Sequence, residues 1–437
     1  MNLVKKLLAL KHDKEYLHYT TDFIIQFTNC RIVRDNKLIN DDLWIRDGEI
    51  LDPEKIFFDE KRQSDLQIDC NNLIITAGFI DSQINGAFGY DFTSSNDGVS
   101  ITDKLKIVAK KLLTQGVTAF CPTIVSSDSK VYEQTLQFIK QTQGSSEGAS
   151  ILGAHLEGPF LNIEKCGAHE IEKLETLENG IEDVHRVYGG VLDNIRIVTL
   201  APELDSSGRV IEYLTKSGII VSIGHTTATL DQGKSSIIHG ASYITHLFNA
   251  MAPFHHRDPN LFGLLSDYEI NKNLFYGIIA DGIHTHVAAL NVAYRTHPKG
   301  LVLVTDAMSA MGLQEGKVHH IGKHKVEIKV CDNRKHAVIS GTNTLSGSVA
   351  TMNECVRIFK NGANCSLADA VNCASEHPAK MMGIYPTKGS LYFNTDADFI
   401  IIDENINIFS TFIAGDLVWS DESWNPQFKF KFTSRSD

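Results

Sequence analysis

The chain has 437 residues, 43% hydrophobic and 22% charged, with 32 Gly and a formal net charge of −12. That length exceeds one average domain and suits a large α/β barrel plus a smaller unit, and the composition argues against wholesale disorder. An acidic chain is a poor non-specific nucleic-acid binder, so an anionic ligand needs a local cationic pocket.

The first segment, MNLVKKLLALKHDKEY, has a short apolar stretch broken by lysines. It lacks a small-residue cleavage site, so residues 1–21 read as a cytosolic N-terminal extension and the protein as cytoplasmic. No apolar run reaches the length of a membrane span. The 8 cysteines are scattered without a C-x-x-C pair. In a chain this long that pattern reads as reduced and intracellular.

Residues 23–75 carry the strand-like pieces FIIQF, DLWIRDGEI and NLIITAG, and Asp47-Gly48 marks a hairpin. From Gly78 the pattern changes to apolar runs separated by amphipathic segments of helix length. The runs are 78–85, 117–121, 151–156, 195–200, 219–224, 243–248, 274–280 and 301–305. DKLKIVAKKLLTQG and KVYEQTLQFIKQTQ are typical of the helical stretches between them; the stretch before the seventh run is the least helical. Eight such alternations predict an α/β fold, a (β/α)8 TIM barrel, over 78–387. Helical patterns near 348–361 and 367–382 follow, then GSLYFNTDADFIIID and FIAGDLVW return to strand and turn character. Pairing that tail with the N-terminal strands predicts a small β-sandwich domain built from both termini, 22–77 and 388–430.

Functional groups in a barrel sit at the C-terminal ends of its strands. Glu157, His225, His246, Asp281, His284 and Asp306 fall there, after the third, fifth, sixth, seventh and eighth runs. One such residue is more often a loop or helix-cap residue; the whole constellation is hard to explain that way. Glu157, His225 and His246, from three strands, have the chemistry to bind one divalent cation, zinc or another first-row metal, and leave a position open for water. A carboxylate such as Asp306 beside that water can take its proton and deliver one to a leaving nitrogen.

The motifs HLEGPF around Glu157, GHT around His225, THLFNAM around His246, ADGIH at Asp281 and His284, and VTDA at Asp306 resemble the N-acetylglucosamine-6-phosphate deacetylases of the amidohydrolase superfamily. The resemblance covers roughly residues 22–425. It implies that Glu157, His225 and His246 are metal ligands and that Asp306 is general base and then acid. It also implies substrate contacts from Asn249 and Ala250 after the metal histidine, from Ala168 and His169 in CGAHE, and from His284. The resemblance favours Arg257 in HHRDP for the phosphate, and Leu345, Ser346 and Gly347 in TLSGS match a family segment lining the acetyl end. Many amidohydrolases carry H-x-H at the end of the first strand; here Gln83 and Asn85 stand there, poor ligands that imply a single metal per subunit. The resemblance and the His-rich 254–258 loop imply a homodimer acting on a phosphorylated amino sugar. Two competing readings are another amidohydrolase, such as a cyclic-amide hydrolase or nucleobase deaminase, and an inactive barrel used as a scaffold. The first would show the H-x-H or a carboxylated lysine, and the second would have lost one of the four central residues.

Overall fold

The structure, a computed structural model, describes residues 22–93, 98–190, 192–321, 324–331, 334–342 and 345–430. The predicted extension over 1–21 lies outside the described residues. Among those described, no helix is long and apolar enough to cross a membrane.

Eight parallel strands form the nearly closed barrel: β1 (Phe79–Ile84), β2 (Val117–Val125), β3 (Ala154–Glu157), β4 (Ile195–Leu200), β5 (Ile220–Ile223), β6 (Tyr243–Ile244), β7 (Phe275–Ile279) and β8 (Leu301–Val304). Each pairs with the next in chain order. Residues in β1, β3 and β8 are buried throughout, as strands covered on both faces must be. The last strand meets the first through a parallel bridge between Ile84 and Ala307. The Asp306 N–H donates to the Gln83 carbonyl at 2.9 Å. The Thr305 hydroxyl donates to Asp81 Oδ2 at 2.6 Å.

Strand boundaries depart from expectation in instructive ways. β2 runs past Cys121 to Val125, although Pro122 carries no N–H. Its register against β1 shifts between Phe120 and Pro122, and that irregularity accommodates the proline. β6 has only two paired residues. The stretch before β7 holds short 3-10 turns at Asn260–Ser266 and Asn271–Asn273 instead of an α-helix.

Two further sheets each combine strands from both ends of the chain. In one, Phe399–Ile402 pairs antiparallel with Ile74–Ala77. In the other, Gln427–Phe430 pairs antiparallel with Leu66–Asp69. Phe27, Ile68, Phe399 and Phe412 meet in the single core cluster between them. The predicted hairpin joins Leu43–Arg46 to Glu49–Ile50, with Asp47 at φ 51° and Gly48 at φ 86°. Two successive positive φ values are what a tight right-twisting hairpin turn requires, and glycine takes the second without strain. A four-stranded antiparallel sheet spanning Val318–Ile321 to Leu345–Gly347 follows β8, where no strand was expected.

Candidate metal centre

Glu157 is the last residue of β3, whereas His225, His246 and Asp306 lie just beyond β5, β6 and β8. Their φ values are 49° for His225, 26° for His246 and 44° for Asp306. Outside tight turns, few non-glycine residues occupy that left-handed region, and functional sites are one place where they do. The chain bends at each of these residues, just past the strand end.

Ligand atoms of Glu157, His225 and His246, all three buried, lie within 4.8 Å of one another. Nε2 of His225 is 3.1 Å and Nε2 of His246 is 3.0 Å from Glu157 Oε1, and the two nitrogens are 3.1 Å apart. His225 Nδ1 lies 2.8 Å from the Lys165 carbonyl, which can only accept. In the neutral ring that contact commits the proton to Nδ1 and leaves the Nε2 lone pair facing the carboxylate. Lone pairs converging at such distances repel unless a cation lies between them. The spacing is close to the roughly 3.3 Å between ligand atoms around a tetrahedral ion with bonds of about 2.0–2.1 Å. The donor set therefore fits a divalent metal. Burial alone would raise the Glu157 carboxyl, but the adjacent His225 and His246 rings hold it well below the usual range.

Asp306 stands beside this trio. Its Oδ1 accepts from Asn85 Nδ2 at 2.8 Å and from Gln83 Nε2 at 3.2 Å. Gln83 Nε2 also donates to Glu157 Oε1 at 2.9 Å. Desolvation, reinforced by the charge on Glu157, pushes the Asp306 carboxyl up to about 7. Acid and base forms are then both accessible near neutral pH.

The other expected site residues occupy the surrounding loops. His284 Nδ1 lies 2.6 Å from Asp281 Oδ2; burial disfavours the imidazolium, but this carboxylate raises the His284 pKa above its ordinary value. His169 packs its ring 4.7 Å from that of His225, edge to face. Its Nδ1 accepts from the Ser126 N–H at 3.2 Å, so the neutral ring carries its proton on Nε2. Desolvation and the adjacent His225 lower its pKa to about 3. Ala168, beside it, is exposed. Asn249 and Ala250 form the turn after His246: the Asn249 N–H donates to the His246 carbonyl at 3.0 Å, and the Ala250 carbonyl accepts from the Thr226 N–H at 3.1 Å. Asn249 Nδ2 is buried and unpartnered among the described residues. Arg257 is exposed on the loop after β6. Leu345, Ser346 and Gly347 form a short strand paired with Arg334–Ile339. The next residue, Ser348, bridges to Ala307 beside Asp306, which brings this strand to the barrel mouth.

A profile of the amidohydrolase family matches residues 74–430. An N-acetylglucosamine-6-phosphate deacetylase of Bos taurus is 50% identical over 406 residues, covering 92% of this chain and 97% of the relative. The protein of that name from Bacillus subtilis (strain 168) is 32% identical over 394 residues, covering 89% and 95%. The chain belongs to the N-acetylglucosamine-6-phosphate deacetylase family of amidohydrolases. The family deacetylase from Pasteurella multocida superposes with a TM-score of 0.76 at 27% identity, covering 91% of this chain and 100% of that one. A Mycobacterium smegmatis family member, solved as a mutant in complex with N-acetyl-D-glucosamine-6-phosphate, gives 0.73 at 26% identity, covering 91% and 100%. Family membership makes this chain a hydrolase.

Several supporting groups escape a search for metal-capable residues at strand ends. Glu203, just after β4, accepts from the Thr227 N–H at 2.8 Å and from Asn162 Nδ2 at 2.8 Å, and also from the Thr226 hydroxyl. The Asn162 N–H in turn donates to the His225 carbonyl at 2.9 Å. Glu203 thus ties down the loop that carries a candidate ligand of this family member. Lys165 contributes through its carbonyl, and Ser126 through its N–H. Backbone contributions leave no trace in residue type. Glu203 had a signal: it is the first carboxylate after the fourth apolar run.

Proposed function

We propose that this chain deacetylates N-acetylglucosamine 6-phosphate, giving glucosamine 6-phosphate and acetate. The observation that carries the reading is the convergence of Glu157, His225 and His246 beside Asp306, within a chain of this family. Glu157, His225 and His246 would hold one divalent metal, zinc being the best match to two imidazoles and a carboxylate. Held there, such an ion would supply Lewis-acid polarisation of a carbonyl and would lower the pKa of water.

The chain's own groups supply the rest. Asp306 accepts the proton of the attacking water as the C–O bond forms. It then returns a proton to the sugar nitrogen as the C–N bond breaks, because an unprotonated amine is a poor leaving group. His169 offers its Nε2–H and His284 its ring to the sugar or the developing oxyanion. Asn249 Nδ2, an unpartnered donor, the exposed Ala168 and the half-buried Ala250 would contact the sugar, while Leu345, Ser346 and Gly347 would border the acetyl end. The Arg257 guanidinium has no hydrogen bond or ion pair among the described residues, which leaves it available for the phosphate.

Phe254, 59% exposed, and His255 and His256 share the Arg257 loop. That exposure supports a homodimer in which this loop completes a phosphate site. Acetate release from N-acetylglucosamine 6-phosphate, with unphosphorylated N-acetylglucosamine as the comparison, tests the reading. No acetate from the metal-loaded protein would overturn it.

A further inference from the structure

We infer that Gln83 and Asn85 form an amide clamp that positions Asp306 and leaves Oδ2 as the atom that carries the reaction's proton. The inference deepens the proposed function and rests on Asp306 as the acid/base.

Three hydrogen bonds define the clamp. Asn85 Nδ2 donates to Asp306 Oδ1 at 2.8 Å, and Gln83 Nε2 donates to the same atom at 3.2 Å and to Glu157 Oε1 at 2.9 Å. A carboxylate only accepts, so these partners fix which end of each amide faces Asp306. Both hydrogens of the Gln83 amide are then committed, one to each carboxylate. The orientation carries a cost: Gln83 Oε1 and Asn85 Oδ1 are buried and have no partner among the described residues. An arrangement that strands two carbonyl oxygens persists where the donors opposite them are needed.

The backbone supports the same residue. The Asp306 N–H donates to the Gln83 carbonyl at 2.9 Å, and the Asn85 N–H to the Ala307 carbonyl at 2.8 Å. The main chain fixes the position of Asp306 in its left-handed conformation, and the amides fix the rotation of its carboxylate. Oδ1 holds two donors, whereas no described residue donates to Oδ2, which leaves that oxygen for water and the departing nitrogen. The Gln83 amide also lies between two like-charged carboxylates and offers each a positive edge. Histidines acting as metal ligands at these positions would present lone pairs and could not do this. Gln-x-Asn is therefore a device for orienting the base as well as a missing second metal site.

The test uses the metal-loaded enzyme with Asn85→Ala, Asn85→Ser and Asn85→Asp, reading kcat, KM and bound metal. Asn85 donates to Asp306 and to none of the three candidate ligands, so bound metal should be unchanged. Loss of one hydrogen bond to a charged group in Asn85→Ala should lower kcat about 10–100-fold. KM should stay within about threefold. Asn85→Ser keeps an O–H donor and should recover part of the loss. Asn85→Asp keeps the shape but turns an acceptor toward Asp306, and should fall below Asn85→Ala. A side chain that merely fills space would reverse that order, with Asn85→Asp the mildest and Asn85→Ser no better than Asn85→Ala. That reversal, an Asn85→Ala kcat within about threefold of wild type, or metal loss in Asn85→Ala would overturn the clamp while leaving the deacetylase reading intact. Wild-type protein that releases no acetate would overturn the deacetylase reading itself, and the clamp with it.

Discussion

Replacing Asp306 by Asn removes a proton acceptor and almost nothing else. Oδ1 of the new side chain can still accept from Gln83 and Asn85, the two contacts that hold the carboxylate now. The new Nδ2 would replace Oδ2, which takes no hydrogen bond from the described residues, so no protein contact is lost. Nor does Asp306 make a hydrogen bond to Glu157, His225 or His246, so the metal should stay. What disappears is the capacity to take a proton from water and return one to nitrogen. Losing a positioned acid/base costs about 10²–10⁴ in rate, or roughly 3–5 kcal/mol of transition-state stabilisation. The assay is acetate release by Asp306→Asn under saturating substrate, with bound metal measured on the same preparation. A kcat near wild type with full metal content would refute the acid/base role. Metal loss in this variant would make Asp306 a ligand first.

Wild-type protein should bind one metal per chain after extensive dialysis, and His225→Ala should lose metal together with rate. A reproducible stoichiometry near two at the active site would contradict the single-metal reading. Arg257→Ala should lower kcat/KM for the phosphorylated sugar by about 10–100-fold, the loss expected for one charge-assisted phosphate contact. Equal loss on unphosphorylated N-acetylglucosamine would make Arg257 structural. Sedimentation should give a dimer, and a fully active monomer would count against a shared phosphate site. His155 is fully buried, and desolvation lowers its pKa to about 4. Its unfolded pKa is about 6.5, so the unfolded chain binds more protons between these values, and stability falls as pH drops through that window. At pH 5 the loss is about 2 kcal/mol. His155→Gln should show a correspondingly smaller loss of unfolding free energy between pH 7 and pH 5; an unchanged loss would mean that His155 does not carry it.

Much of the barrel was legible because buried parallel strands read as apolar runs and because metal-capable side chains follow those runs at a fixed place. Glu157, His225, His246 and Asp306 could be picked out on that ground alone. What lay hidden involved backbone geometry or distant partners. The left-handed turns at His225 and His246, just past the strand ends, leave the apolar pattern unchanged. The second apolar run ends at residue 121, whereas the strand continues through Pro122 with a register shift. The sheet between Val318 and Gly347 has a visible signal, the alternation of Val326, Ile328 and Val330 with charged residues. Its lysine-rich character nevertheless resembles loop sequence. Gln83 and Asn85 were legible only as missing histidines. Their positive role depends on Asp306, 223 and 221 positions away in the chain.

The central claim is that a metal held by Glu157, His225 and His246 and a base at Asp306 together cleave the acetyl amide of a phosphorylated amino sugar. The most direct measurement follows acetate and glucosamine 6-phosphate released from N-acetylglucosamine 6-phosphate by metal-stripped protein, before and after titration with zinc. The account expects negligible release at first, then equimolar products rising to a plateau at one zinc per chain. Full activity in the stripped protein, or no product at any zinc level, would contradict it.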